Sequence, residues 1–310
     1  MRIKFRCSRR KGITIAILLV VGAGVSSIFI IVPSMSGETE TQMIVIKKSV
    51  VFRDAPEANL SIRPNLRLMT LNIAHGRKDG PNQIFQKGKT IESHLDDVAK
   101  VMRREKPDVL ALQEADGPSI WSGGFDQVEY LAEKAIFPYY IRGEHVKGLK
   151  INYGTAILSM FPLSGAISFT FGPSPPTFSK GFVLATVTPS GRSDVSFDLV
   201  SVHLDFSRKS VREKQVDEMI SRLLSRNRPL IIMGDFNCEW TSKEAPLRRL
   251  ADELDLKAYL PEGQNLETYP KPRKRLDWVL ISPELEFVKY SVLPDVISDH
   301  YAVLCEVKIN

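Results

Sequence analysis

Eight polar side chains stand where apolar runs end and could do chemistry together: Asn72, Glu114, His203, Asp235, Asn237, Asp277, Asp299 and His300. Carboxylates and amide oxygens are hard donors for a divalent cation, and imidazole paired with carboxylate moves or orients protons. In an extended Gly234-Asp235-Phe236-Asn237, the acid and the amide point to one face, and Gly234 lets a ligand approach the backbone closely. Asp277 opens the apolar run Trp278-Val279-Leu280-Ile281, a costly place for an acid unless it has a partner. Ser298-Asp299-His300 sets acid and imidazole side by side before the last apolar run. Taken singly, each has a plain structural explanation: a Glu after a strand is often the first solvated residue, and a lone His is often a satisfied core residue.

The elements that must carry these residues follow from periodicity. Runs at 66–73, 108–114, 155–163, 182–187, 195–204, 230–236, 276–282, 287–293 and 301–309 read as strands. Ile91, Leu95, Val98 and Met102 put one apolar stripe on a helix, and Val211, Val216, Met219, Ile220 and Leu223 put another on 209–225. Pro189-Ser190-Gly191 reads as a hairpin turn. Strands outnumbering helices in this way suggest a layered α/β sandwich with mixed sheets in one domain.

In their order and spacing, Asn72, Gln113-Glu114, Gly154-Thr155-Ala156-Ile157-Leu158-Ser159, His203, Gly234-Asp235-Phe236-Asn237, Arg275-Leu276-Asp277 and Ser298-Asp299-His300 resemble the motifs of the deoxyribonuclease I-like endonuclease/exonuclease/phosphatase superfamily. The resemblance covers about residues 65–310. It implies a four-layer α/β sandwich with two mixed β-sheets and a Mg²⁺ or Mn²⁺ cofactor held mainly by Glu114, with Asn72 and Asp299 nearby. It also implies that Asp235 orients or deprotonates a water and that Asn237 holds that water or a phosphoryl oxygen. His203 would then hydrogen-bond the phosphate, and His300 would be fixed by Asp277. Ala115-Asp116 after Glu114 departs from the abasic-site endonuclease pattern. Phe236 and Leu276-Asp277-Trp278 depart from the inositol polyphosphate 5-phosphatase pattern, and Met160 stands where a basic residue is frequent. His203-Leu204-Asp205 is closer to sphingomyelinase-like members.

The formal charge of +6 suggests a nucleic-acid partner only until it is located. Arg2, Lys4, Arg6, Arg9, Arg10 and Lys11 account for all of it, so residues 13–310 carry as many acids as bases and the electrostatic case for duplex wrapping weakens. Ile13 to Val32 is an uncharged run long enough to span a bilayer as a helix. It predicts a transmembrane signal-anchor over 13–33 behind a basic cytoplasmic tail, 1–12, with a linker at 34–64 and the catalytic domain, 65–310, outside the cytoplasm. A cleaved signal peptide giving a secreted or periplasmic protein is the alternative. The expected activity is hydrolysis of a phosphoester, with a lipid headgroup favoured. A nuclease using the basic stretch Lys271, Arg273, Lys274 and Arg275 is the second reading, and an inactive phosphate-binding scaffold the third. No protein partner is implied. Of the three cysteines, only Cys238 and Cys305 could pair in a translocated domain.

Overall fold

The computed structural model describes residues 16–22, 25–31, 37–40, 44–45 and 65–309, apart from 83–84, 149, 190–194 and 244. The basic tail expected over 1–12, most of the linker expected over 34–64, and Ser190 and Gly191 of the expected hairpin turn lie outside the described residues. Within the apolar run the structure describes two strands, β1 (Ala16–Gly22) and β2 (Val25–Ile31), paired antiparallel from Ala16↔Ile31 to Gly22↔Val25. The helix expected over 13–33 is not among the described elements, and part of that run (13–15, 23–24 and 32–33) lies outside the described residues. The run is rich in Val and Ile, whose branched side chains suit a strand, and Gly22 ends β1. No helix among the described residues is long and apolar enough to cross a membrane.

Next come β3 (Gly37–Glu40) and β4 (Ile44–Val45), two short strands from the expected linker. The main body follows as β5 (Asn65–Asn72), α1 (Gly88–Glu105), β6 (Val109–Asp116), α2 (Gln127–Ala135), β7 (Tyr139–Arg142), β8 (Val146–Gly148), β9 (Ile151–Ser159) and β10 (Leu163–Thr170). Its second half is β11 (Gly181–Val187), β12 (Phe197–His203), α3 (Lys209–Leu223), β13 (Leu230–Asp235), α4 (Pro246–Glu253), β14 (Lys257–Ala258), β15 (Tyr269–Pro270), β16 (Arg273–Lys274), β17 (Asp277–Ile281), β18 (Leu285–Val292) and β19 (Val303–Ile309). One sheet runs β18-β19-β5-β6-β9-β7-β4, with β8 on β9, and the other runs β14-β17-β13-β12-β11-β10-β3.

The sheets pack face to face. Leu68, Ala111 and Ile157 of the first meet Val183, Leu199 and Met233 of the second in a core with no exposed member among these six. On the outer face of the first sheet, Ile91, Leu95, Val98 and Met102 bury the predicted α1 stripe, together with Val128 and Leu131 of α2. Val216, Met219 and Leu223 of α3 and Leu247 and Leu250 of α4 do the same for the second sheet. The result is the expected four-layer α/β sandwich, and each buried Leu or Ile stabilises it by roughly 1.5–3 kcal/mol relative to exposure. Cys238 and Cys305 are both free and buried, in different cores. They form no disulfide.

Each sheet holds one parallel pair, β5 with β6 and β12 with β13, and these pairs carry four of the eight candidate residues, Asn72, Glu114, His203 and Asp235. Their carboxyl ends are in register: Asn72 opposite Gln113, and His203 opposite Asp235. β17 runs back antiparallel, so that Asp277, its first residue, lies opposite Asp235. The run predicted as a strand over 155–163 instead ends at Ser159. A turn at 160–162 starts β10, because Pro162 cannot donate into a ladder.

Candidate active site

Parallel strand ends bring the residues close, and local backbone irregularity aims them. At Glu114 the β6–β9 register slips between Gln113 and Ala115, and Glu114 itself adopts φ +51. This bulge turns a carboxylate that regular pleating would send elsewhere into a cleft of about 310 Å³. Asn237 also takes a positive φ, which lets its backbone N–H reach Asp235 Oδ1 at 2.9 Å while its side-chain amide donates to the Leu204 carbonyl at 3.0 Å. Gly234 is required here. Its φ is +149, and a Cβ would sit 2.0 Å from the Val202 carbonyl oxygen.

Seven of the eight sequence-predicted residues line this cleft: Asn72, Glu114, His203, Asp235, Asn237, Asp299 and His300. The eighth, Asp277, is fully buried behind it and holds His300 Nδ1 at 2.8 Å. Thr268 Oγ1 accepts the backbone N–H groups of Leu276 and Asp277 and so fixes the start of β17. Asn72 donates to Asp235 Oδ2 at 3.0 Å and accepts the Ala74 N–H through Oδ1. His203 Nε2 and His300 Nε2 approach that same Asp235 oxygen at 3.4 and 3.8 Å.

Electrostatics sorts these groups into roles. Burial pushes Asp235 up to about 7, and the neighbouring Asp277 charge adds to this, against His300, Asn72 and the Asn237 N–H. Burial opposes a charge on His300, but Asp277 and Asp235 overcome it and raise the imidazole to about 10. Glu114 goes the other way. Burial favours its neutral form, yet His75, Lys180, His203 and His300 together hold it well below the usual carboxylate range. The ligand atoms of Asp235, Asp277 and His300 lie within 4.8 Å of one another, a spacing that could hold a cation. His300 already supplies the positive charge between those two carboxylates. The better seat for a hard cation is therefore the ionised Glu114, with Asn72 and Asp299 lining the same cleft.

Four further groups carry no pattern that singled them out. His75 Nε2 sits 3.3 Å from Glu114 Oε2, and its Nδ1 is 2.6 Å from Asp116, which is fully buried. Arg77 pairs with Asp299. Lys180, only 6% exposed, lies 3.8 Å from Glu114 Oε1 and 3.4 Å from His203 Nδ1. An ammonium can only donate, so Nδ1 of His203 accepts and the ring proton sits on Nε2, facing Asp235. Burial and Lys180 together keep His203 neutral, well below its ordinary range. A histidine three residues after Asn72 is the one signal that could have found His75. Nothing in the residues around Lys180 distinguishes it from other loop lysines.

The family model for the endonuclease/exonuclease/phosphatase family matches residues 69–300. The chain belongs to that family. Members of this family are generally metal-dependent hydrolases of phosphoesters, and the cleft above is where this member keeps the family motifs. Among solved structures it is similar to an endonuclease/exonuclease/phosphatase family protein from Leptotrichia buccalis, with 19% identity and a TM-score of 0.61, over 79% of this chain and 100% of that one. The human Nocturnin catalytic domain matches at 18% identity and TM-score 0.61, over 80% and 96% of the two chains. A mannosyl-6-phosphatase from Bacteroides thetaiotaomicron matches at 17% and 0.61, over 78% and 99%. At these identities the likeness is one of fold. No curated protein sequence matches the chain significantly.

Proposed function

We propose that this family member hydrolyses a phosphoester with Mg²⁺ or Mn²⁺, and that the phosphoester belongs to a lipid headgroup outside the cytoplasm. The observation that carries the hydrolytic reading is the convergence in one cleft of Asn72, Glu114, His203, Asp235, Asn237, Asp299 and His300, with Asp277 bracing His300 from behind. Glu114, Asn72 and Asp299 would hold the cation, and their hard oxygen donors fit it. When bound, it would polarise the phosphoryl group and offset charge on the departing oxygen.

The chain's own residues do the rest. Asp235 takes a proton from the attacking water as the new P–O bond forms, and Asn237 keeps that water beside it. His203, neutral, donates Nε2–H to a phosphoryl oxygen, and His300, charged and braced by Asp277, donates to another as the ester P–O bond breaks. Lys180 fixes the His203 tautomer.

The extracytoplasmic reading rests on the amino-acid sequence alone, in which six cations precede an uncharged run in the order of a membrane-insertion signal. The lipid reading over nucleic acid rests on charge. The Lys271–Arg275 stretch does not present four cations: Arg275 turns inward, 3.9 Å over the Trp278 ring, and Arg273 pairs with Glu267 at 2.9 Å. Lys274 lines the cleft and Lys271 is exposed.

A panel of phosphoesters, with phospholipids, sphingomyelin, inositol phosphates and nucleic acids assayed side by side, tests the proposal. We expect turnover of a phospholipid and of bis-p-nitrophenyl phosphate, abolished by EDTA and restored by Mg²⁺ or Mn²⁺. Turnover of nucleic acid alone would replace the lipid reading with the nuclease one, and no metal-dependent turnover of anything would leave a scaffold. For Lys180→Met we expect kcat to fall about tenfold or more, the cost of losing one oriented hydrogen bond to the phosphate. The ¹⁵N signature of His203 should shift from the Nε2–H tautomer toward a mixture. An unchanged tautomer would remove Lys180 from the site.

A further inference from the structure

Three exposed apolar side chains are linked to residues of the cleft and are not used by the hydrolytic reading. Phe85, Ile120 and Phe206 are 76%, 59% and 64% exposed. Each is tied to the site by a chain of contacts. Phe206 lines the cleft itself. Ile120 precedes Trp121, whose ring stacks on Tyr153 at 5.6 Å and meets Phe178 edge-on at 5.7 Å. The Phe178 loop is bound to the Phe206 loop by Thr177 Oγ1 donating to Asp205 Oδ2 at 2.5 Å and by Arg208 donating to the Ser174 carbonyl at 2.5 Å. On the other wall, Gln86, next to Phe85, donates to the Arg77 carbonyl at 3.1 Å, and Arg77 pairs with Asp299.

Cations accompany these tips. Lys87 follows Phe85 by two residues, Arg208 follows Phe206 by two, and the Lys150 carbonyl accepts the Ile120 N–H at 2.9 Å. Lys87 and Lys150 are exposed. Apolar tips beside basic residues match the chemistry of an anionic bilayer interface, where the tips enter the acyl boundary and the cations meet headgroups. A single-stranded nucleic acid would instead ask for a row of π-faces along a basic groove. Ile120 offers no such face.

We propose that Phe85, Ile120 and Phe206, with Lys87, Lys150 and Arg208, form a docking rim that seats the mouth of the cleft on an anionic lipid bilayer. This deepens the lipid-headgroup reading and rests on it. The bilayer is the occupant because the cleft it would cover takes the phosphate of a headgroup, while the rim takes the apolar boundary beneath.

The test uses the full chain, bis-p-nitrophenyl phosphate as a soluble substrate, and phosphatidylglycerol vesicles as the competitor. Vesicles seated on the rim cover the cleft, so they should raise the apparent KM of the wild type. Phe85→Ser with Ile120→Ser, neither of which lines the cleft, should leave kcat/KM without vesicles within about twofold of wild type. The vesicle concentration needed for half inhibition should rise about tenfold or more, since tenfold is about 1.4 kcal/mol. Leu224→Ser removes an equally exposed side chain at the C-terminal end of α3 and should change nothing. The N-terminal run is common to all variants and cancels. The proposal is overturned if vesicles leave the wild-type KM unchanged, if the double variant is inhibited as strongly as wild type, if Leu224→Ser weakens inhibition equally, or if an oligo(dT) competes where vesicles do not. Absence of soluble turnover in the wild type marks a different failure, that of the hydrolytic reading itself.

Discussion

Asp235→Asn lowers kcat on bis-p-nitrophenyl phosphate by about 10²–10⁴-fold, the range expected when a general base is removed, and leaves Mn²⁺ affinity, read by calorimetry, near the wild-type value. The substitution preserves shape and lets Asn237 N–H keep an oxygen acceptor, but it removes the carboxylate that approaches both His203 and His300. The pH dependence follows from the same group. With its carboxyl raised to about 7, Asp235 is protonated and cannot accept a proton at lower pH, so the wild-type rate rises with pH through that region and then levels. A cation seated on Glu114 favours the carboxylate and moves this limb to lower pH. Stability changes in the opposite sense. A folded-state value above the unfolded one means that the group stabilises the fold most below about 4 and loses that contribution as pH rises through about 7. The Asn variant lacks this loss, so its melting temperature relative to wild type should be higher at pH 8 than at pH 4. A rate within threefold of wild type would remove Asp235 from the chemistry.

Glu114→Gln should fail for a different reason. Its carboxylate is the charged donor that the bulge in β6 turns into the cleft, and His75 Nε2, Lys180 and His203 Nε2 surround it at 3.3, 3.8 and 3.9 Å. The neutral amide removes the main attraction for a divalent cation, so we expect Mn²⁺ affinity to fall about 10²-fold or more, at 1.4 kcal/mol per factor of ten. The rate at fixed Mg²⁺ should fall by at least as much, with partial recovery as the metal concentration rises. His75 and Lys180 also lose their counter-charge. About a fifth of the Glu114 side chain faces the cleft, so the stability cost is about 1–3 kcal/mol, below that of breaking a fully buried pair. Unchanged metal affinity in this variant would move the cation elsewhere, with the Asp235, Asp277 and His300 group the next place to look. Together the two variants separate proton transfer from metal binding.

Much of this site is legible in the amino-acid sequence, because its residues sit where apolar strands give out. Asn72, Glu114, His203 and Asp235 end β5, β6, β12 and β13 or lie within them, and a nearly unbroken run of buried side chains that stops at a polar residue is a local signal. Asp277 is legible as an acid at the start of a buried strand that must have a partner, and His300 is that partner. The helices with clear stripes, α1 and α3, are likewise visible. α2 and α4, at nine and eight residues, are too short to repeat a pattern.

What the chain by itself determined is therefore the layered fold, the strand ends, the seven side chains brought to one cleft and the buried Asp277 behind it. Periodicity and the cost of burying polar groups act over a few residues and leave their mark in the sequence. Only the tertiary structure decided that Glu114 would be turned inward by a bulge and ringed by His75 and Lys180, that Arg275 would leave its basic neighbours to stack on Trp278, and that Phe85, Ile120 and Phe206 would stand exposed. Those outcomes depend on partners outside the local run, many of them dozens of residues away, and a lone charge or an exposed ring has no period by which a sequence could announce it.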